Sequence, residues 1–207
     1  LDPLLTTSMP KSITLETGFD VVTHAFESLI SKAATPITRM YSQQAIQIAI
    51  PALVSVARDQ ITNQVRNDLL YASLLAGYNL ANASTCLPHR LQYPLGANTD
   101  SAHARGLAAL YPAWFRSTYK YAEADFIFIC NIINSAIEKT MIVDSSAKAV
   151  ESITEFLKLI EMNHSLKDFG VKEEDCELYT SQVDGNLALD PGCTKLETIN
   201  QIYRESW

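Results

Sequence analysis

The sequence predicts an all-α protein, and two observations carry that prediction. Apolar residues recur three and four positions apart along most of the 207 residues, which is the spacing of one face of an α-helix. Alternating patterns of strand length are scarce. The sequence also holds only seven glycines, none of them in a G-x-G-x-x-G or G-x-x-x-x-G-K arrangement, so it encodes no phosphate-binding loop of either kind.

Three long helices are expected in the first part of the chain. Thr14 can cap the first, which runs to about Lys32, and the second begins near Ile37. Pro51 falls inside the second helix and should bend it rather than divide it, because a proline removes one helical hydrogen-bond donor. The third helix is expected from about residue 61 to residue 83.

The segment from Pro88 to Ser101 is rich in proline, glycine and asparagine and is expected to be a loop. The apolar stretch Phe126 to Ile133 has strand propensity, but an isolated strand would leave its backbone polar groups unpaired. We therefore assign that stretch to a helix. The later helices are expected near Ala104 to Phe115, Ala122 to Lys139, Ser146 to Glu161, Glu173 to Asn186 and Lys195 to Glu205, with Thr194 and Glu197 forming a capping box for the last.

Charge and composition exclude several classes of partner. Sixteen Lys and Arg against 23 Asp and Glu give a net charge of −7, which opposes binding along a nucleic-acid backbone. No uncharged apolar run approaches the ~20 residues needed to cross a bilayer. The four cysteines form no C-x-x-C pair and fit a reducing compartment. We expect a cytoplasmic protein with no nucleic-acid or membrane partner.

Four residues are candidates for binding a metal ion. Asp20 and His24 stand four apart on the first predicted helix, which places their Cβ atoms about 5–6 Å apart on one face. His89 and His103 bracket the predicted loop and could reach a common point. Three imidazoles and one carboxylate suit Fe²⁺ or Zn²⁺ better than Mg²⁺ or Ca²⁺, which prefer oxygen ligands. By spacing alone, a local hydrogen-bonded pair and two ordinary loop histidines explain the same residues more simply.

The sequence around these four residues resembles the C-terminal helical domain of the iron-containing alcohol dehydrogenase family. The resemblance covers nearly all of the chain. It is carried by three blocks, which comprise Asp2 to Thr6, Met9, Pro10, Thr14, Thr17 to Asp20 and Thr23 to Glu27, then Leu74 to Gly77, Asn82, His89, Pro94 to Gly96, His103 and Leu110 to Pro112, and finally Leu166, Gly170, Val171, Asp190 and Pro191.

The resemblance implies a multi-helix domain of the dehydroquinate synthase-like type. In this family the helical domain follows an α/β nucleotide-binding domain, and the metal lies in the cleft between the two. Since the sequence begins with Leu1 rather than Met, we expect residues 1–207 to be a single metal-binding domain, the C-terminal half of a longer two-domain enzyme, without the nucleotide-binding domain.

The resemblance also implies an activity and a ligand set. Asp20, His24, His89 and His103 match the family's metal ligands and would hold Fe²⁺ or Zn²⁺. The activity is NAD- or NADP-dependent interconversion of an alcohol with an aldehyde or ketone, in which the metal stabilises charge on the substrate oxygen. The nicotinamide cofactor would be bound mainly by the other domain, so the 207-residue chain alone is expected to be inactive.

The sequence departs from the family pattern beside the third ligand. The family commonly has a histidine four residues after it, where this chain has Tyr93, whose hydroxyl could relay a proton in catalysis or whose ring could only fill space. Arg90 and Arg105 could bind an acidic substrate group or be ordinary solvated or ion-paired arginines. The alternative function is a stand-alone helical domain that binds a metal or a protein without turnover. Apolar surface left uncovered would favour a homo-oligomer.

Overall fold

Helices provide all the regular secondary structure of the computed structural model, which describes residues 1–192 and 195–207. The all-α prediction is confirmed for these residues. Short 3-10 helices cover Pro3–Thr6, Tyr119–Tyr121, Leu166–Phe169 and Leu187–Leu189. The α-helices are α1 Lys11–Ile30, α2 Pro36–Ala57, α3 Asn63–Ala83, α4 Leu87–Thr99, α5 His103–Thr118, α6 Glu123–Ala136, α7 Ser146–Leu159, α8 Asp175–Gln182 and α9 Leu196–Ser206.

Two local predictions for the first helices have opposite outcomes. The predicted cap at Thr14 is wrong, because α1 begins at Lys11, directly after the extended backbone of Pro10. The Thr14 hydroxyl instead donates a hydrogen bond to the Pro10 carbonyl, 2.9 Å away, from inside the first turn. The prediction that Pro51 does not end the second helix is confirmed, since α2 continues through it to Ala57.

The segment predicted to be a loop is helix α4, and this is the main correction to the sequence analysis. Pro88 lies in the first turn of α4, where a helix has no internal partner for an amide hydrogen. Pro94 lies inside the helix, yet its neighbours Leu91 and Leu95 are fully buried and hold that turn in the core. The helix ends only at Thr99, and the next residue, Asp100, has the left-handed conformation (φ 54°) that often terminates helices.

The later helices agree with the prediction in type and differ at their ends. The strand-like stretch Phe126 to Ile133 lies within α6, as predicted, and α8 is shorter than predicted because it stops at Gln182. Thr194, which the sequence predicts to form a capping box with Glu197, lies outside the described residues. No helix in the described part of the chain has both the length and the apolar character to cross a membrane.

The packing of the helices brings α1, α4 and α5 together. Helices α1, α2 and α3 pack against one another, while α5 packs against α4, α7, α9 and α1. Between α1, α5 and α6 lies an aromatic cluster of fully buried rings, Phe26, Trp114, Phe115 and Phe126, whose centroids are 4.8–5.8 Å apart. This cluster holds α5 against α1. Because α4 packs against α5, it is positioned near α1 as well.

Candidate metal centre

The packing of α1, α4 and α5 brings together residues that are distant in the sequence. Helix α1 carries Asp20 and His24 one turn apart, α4 carries His89 in its first turn, and α5 begins at His103. His89 is therefore held by a helix, α4, and not by the loop that the sequence predicted.

Asp20 lies at the centre of the group. Its Oδ1 atom is 3.7 Å from His89 Nε2 and 3.5 Å from His103 Nε2, and its Oδ2 atom is 3.6 Å from His24 Nε2. These separations exceed an ordinary N–H···O hydrogen bond of about 2.9–3.0 Å. They match two ligand atoms that each lie about 2.1 Å from one tetrahedral ion, which are about 3.4 Å apart.

Three of the four candidate ligands form the tightest group. One ligand atom each from Asp20, His89 and His103 lies within 4.8 Å of the other two. His24 lies beside this group rather than within it. Its ring centroid is 4.4 Å from that of His89, and its Nε2 atom faces Asp20. The structure therefore gathers all four residues, with His24 at the edge.

The burial of His89 tests whether the group suits a cation. The His89 side chain is only 3% exposed, and its Nε2 atom has no hydrogen-bond partner among the described residues. A buried polar atom without a partner is costly and needs an explanation. A cation beside Asp20 supplies one, because it would take up the lone pair of Nε2. The donor set of imidazole nitrogens and one carboxylate fits Fe²⁺ or Zn²⁺.

The charges of this group are interdependent. Burial by itself raises the pKa of Asp20, but the imidazoles of His103, His24 and His89 together hold that pKa far below its usual 3.8. Burial by itself lowers the pKa of His89, but its attraction to Glu27 and its interaction with Asp20 raise that pKa to about 9. The carboxylates of Asp20 and Glu27 thus create a negative potential among the imidazoles, which favours a bound cation or a protonated imidazole there.

Glu27 is a residue of this site that sequence reasoning missed. Its side chain is 0% exposed, and its Oε1 atom accepts hydrogen bonds from His89 Nδ1 at 2.9 Å and from the Tyr111 hydroxyl at 3.0 Å. Its Oε2 atom accepts from the backbone amide of Cys86 at 2.9 Å. One signal could have revealed Glu27, since it lies two helical turns after Asp20 and interrupts an apolar face.

Gln92 plays a corresponding part behind His103. The Gln92 Oε1 atom lies 2.7 Å from His103 Nδ1, and the Gln92 side chain is buried. A β-carbon on Gly96 would lie 2.8 Å from Gln92 Nε2, and one on Gly106 would lie 3.2 Å from Gln92 Cγ. The two glycines, one on α4 and one on α5, therefore leave the space that Gln92 occupies.

Residues 14–207 match the family model described as "Fe-containing alcohol dehydrogenase family, C-terminal". The chain belongs to the iron-containing alcohol dehydrogenase family. It is 32% identical to a 1,3-propanediol dehydrogenase of Klebsiella pneumoniae and 26% identical to a lactaldehyde reductase of Escherichia coli (strain K12), and each alignment covers 100% of this chain and 54% of the relative. The resemblance noted in the sequence is confirmed.

Solved structures agree with this assignment. A 1,3-propanediol oxidoreductase superposes with a TM-score of 0.89 at 32% identity, covering 100% of this chain and 55% of the other. An alcohol dehydrogenase from Oenococcus oeni superposes with a TM-score of 0.88 at 27% identity, covering 99% of this chain and 54% of the other. The chain therefore spans about half the length of the iron-containing alcohol dehydrogenases that it matches.

The remaining residues singled out in the sequence lie outside the tightest group of candidate ligands. Tyr93 is 52% exposed, and its hydroxyl accepts a hydrogen bond from Arg90 Nη1 at 3.2 Å. Its predicted part in catalysis stays a prediction. Arg105 pairs with Glu16 at 2.8 Å, which favours the ion-paired alternative for this arginine over substrate binding.

A cleft opens beside two of the candidate ligands. It encloses about 300 Å³ between α1 and α3, and Asp20 and His24 form part of its wall. The α3 side of the wall includes small residues, Ser73, Ala76 and Gly77. This family member therefore has open space directly beside two of its candidate ligands.

Proposed function

We propose that this chain is the metal-binding half of an NAD- or NADP-dependent alcohol dehydrogenase that interconverts a small alcohol with an aldehyde or ketone. The observation that carries this proposal is the convergence of Asp20, His89 and His103, with the buried Nε2 atom of His89 left without a partner. The names of relatives support the reaction class. They include a lactaldehyde reductase and an NAD-dependent methanol dehydrogenase of Bacillus methanolicus.

Asp20, His24, His89 and His103 would hold the divalent ion, either Fe²⁺ or Zn²⁺. When bound, such an ion acts as a Lewis acid toward an alcohol or carbonyl oxygen. Asp20 contributes the one negative charge among these four ligands, so the ion and its ligands together would present a net positive charge to an oxygen that becomes anionic. The cleft beside Asp20 and His24 provides the approach for substrate.

Other residues of the chain would act around this centre. Tyr93 would stand near the reacting group, where its hydroxyl can pass a proton, and Arg90 orients that hydroxyl through its hydrogen bond. The nicotinamide cofactor would be held mainly by a nucleotide-binding domain, because the chain spans only about half of its relatives. The free buried thiols of Cys86, Cys130 and Cys176 fit a cytoplasmic setting.

The surface of α3 supports association with another copy of the chain. Tyr71, Leu74 and Tyr78 are exposed at 39%, 36% and 53% and follow one face of the helix. Exposed apolar side chains of this kind favour contact with another apolar surface. Light scattering at increasing protein concentration tests this part of the proposal, and a monomer at all concentrations would contradict it.

Metal analysis tests the proposed function. We expect the purified chain to bind one Zn²⁺ or Fe²⁺ and the double variant His89→Ala/His103→Ala to bind none. His164→Ala is the matched control, because His164 is a histidine outside the candidate group. Equal metal content in the double variant and the unmodified chain would falsify the assignment. Oxidation of small alcohols with NAD⁺ or NADP⁺ is then measured on the gene product that contains this chain.

A further inference from the structure

We propose that Glu27 is the positioning residue of the metal centre, because it holds the His89 ring in the one arrangement that presents the lone pair of Nε2 toward Asp20. This inference rests on the proposed function, since it concerns how the chain prepares a ligand for the metal. It assigns a role to a buried carboxylate that is not itself one of the candidate ligands.

The surroundings of Glu27 fix its carboxylate in place. The side chain is fully buried, and three donors meet its two oxygens: the Cys86 amide and the His89 ring at the start of α4, and the Tyr111 hydroxyl of α5. A buried carboxylate is costly unless hydrogen bonds compensate it. Burial also raises the pKa of Tyr111, so its phenol keeps the proton that it donates. The carboxylate is thus held in one orientation.

The chemistry of a carboxylate then determines the state of His89. An ionised carboxylate can only accept hydrogen bonds, so the Nδ1 atom of His89, 2.9 Å from Glu27 Oε1, must carry the hydrogen. In the neutral imidazole that a metal ion requires as a ligand, the other nitrogen then has the free lone pair. That nitrogen is Nε2, which has no other partner among the described residues and lies 3.7 Å from Asp20 Oδ1.

His103 provides an internal comparison. Its Nδ1 atom faces Gln92, whose neutral amide offers either an oxygen or a nitrogen, and its side chain is 41% exposed. Among the described residues, no carboxylate faces Nδ1 of His103 as Glu27 faces Nδ1 of His89, and His103 is far less buried than His89. The two histidines therefore differ in how strongly the protein orients them, and the loss of Glu27 should weaken metal binding through His89 specifically.

The experiment measures Zn²⁺ affinity by chelator competition in the unmodified chain, in Glu27→Gln and in Tyr111→Phe. Glu27→Gln keeps the volume of the side chain and removes its charge, and we expect about a 10- to 100-fold loss of affinity, as for other residues that orient metal ligands. Tyr111→Phe is the comparison: it removes one supporting donor from Oε1 but leaves the contact between Glu27 and His89, so we expect a smaller loss than in Glu27→Gln. Thermal unfolding of the metal-free proteins reports whether each variant is folded.

A second measurement reads the ring of His89 directly. In the Zn²⁺-loaded unmodified chain, ¹⁵N NMR of the imidazoles should show hydrogen on Nδ1 and metal on Nε2 of His89. The opposite arrangement would overturn the proposal even if Glu27→Gln failed to fold. So would a folded Glu27→Gln with unchanged affinity, or an equal loss of affinity in Tyr111→Phe. If the unmodified chain bound no Zn²⁺, the metal centre itself would be contradicted, and this role of Glu27 with it.

Discussion

Gly18 of α1 lies directly against Leu53 of α2, and a β-carbon on Gly18 would be only 2.6 Å from Leu53 Cδ2. Leu53 is fully buried, and Leu69 Cδ2 crowds the same point at 3.3 Å. We expect Gly18→Ala to lower the free energy of unfolding by up to about 2 kcal/mol, because the added methyl overfills this contact at a cost of about 1–3 kcal/mol, of which the better helix propensity of alanine offsets about 1 kcal/mol. Urea unfolding measures the change, and a variant as stable as the parent would show that α1 and α2 are packed less closely.

Gly77 of α3 should respond in the opposite way. A β-carbon there would have no heavy atom within 4 Å, and the residue lies inside a helix, where glycine is about 1 kcal/mol less favourable than alanine. We expect Gly77→Ala to raise the free energy of unfolding by up to about 1 kcal/mol, measured in the same urea experiment. A loss of stability would mean that the space beside Gly77 is occupied in solution.

The contrast between α4 and α6 shows what the sequence could reveal about the fold. Phe126 to Ile133 was assignable to a helix because the need to pair backbone groups is a local argument. Helix α4 was not predictable, because its proline and glycine residues locally disfavour a helix. What favours the helix is the burial of Leu91 and Leu95, which depends on packing against other helices. Tertiary packing outweighed propensity there.

The same distinction applies to the site. Asp20, His24, His89 and His103 could be predicted as candidates because they are the residue types that bind metals and their surroundings resemble a family. The residues that support these ligands, Glu27 and Gln92, could not be predicted from the sequence. Glu27 and His89 are 62 positions apart, and their contact follows from the packing of α1 against the start of α4. Gln92 depends in turn on space left by glycines on two helices.

Asp190 should stabilise the start of α4. Its buried carboxylate accepts hydrogen bonds from the Leu87 amide at 3.1 Å and from Trp114 Nε1 at 2.9 Å. We expect Asp190→Ala to lower the free energy of unfolding by about 1–3 kcal/mol, because buried donors lose their acceptor. Asp184→Ala is the control, since the exposed Asp184 accepts a hydrogen bond from no described residue other than the adjacent Gly185. Equal effects of the two substitutions would contradict a special role for Asp190.

The thiol of Cys130 should make stability depend on pH in the alkaline range. Burial raises the pKa of Cys130 from 9.0 to about 12. Between those values the unfolded chain loses this proton while the folded chain keeps it, so the stabilisation is complete below pH 9 and declines as the pH rises toward 12. We expect a loss of about 1 kcal/mol between pH 8 and pH 10 from this thiol. Cys130→Ala should show a correspondingly smaller decrease in urea unfolding, and an identical decrease would contradict this.

Gln92 should affect metal binding less than Glu27 does. Gln92→Leu removes the oxygen 2.7 Å from His103 Nδ1 and keeps a side chain of similar volume. Since the His103 side chain is 41% exposed, water can replace the lost acceptor, whereas nothing can replace a buried carboxylate. We therefore expect a loss of Zn²⁺ affinity below about 10-fold, the lower end of the range for residues that orient metal ligands. Chelator competition measures this loss of affinity. A greater loss in Gln92→Leu than in Glu27→Gln would contradict the inference that the protein orients His89 more strongly than His103.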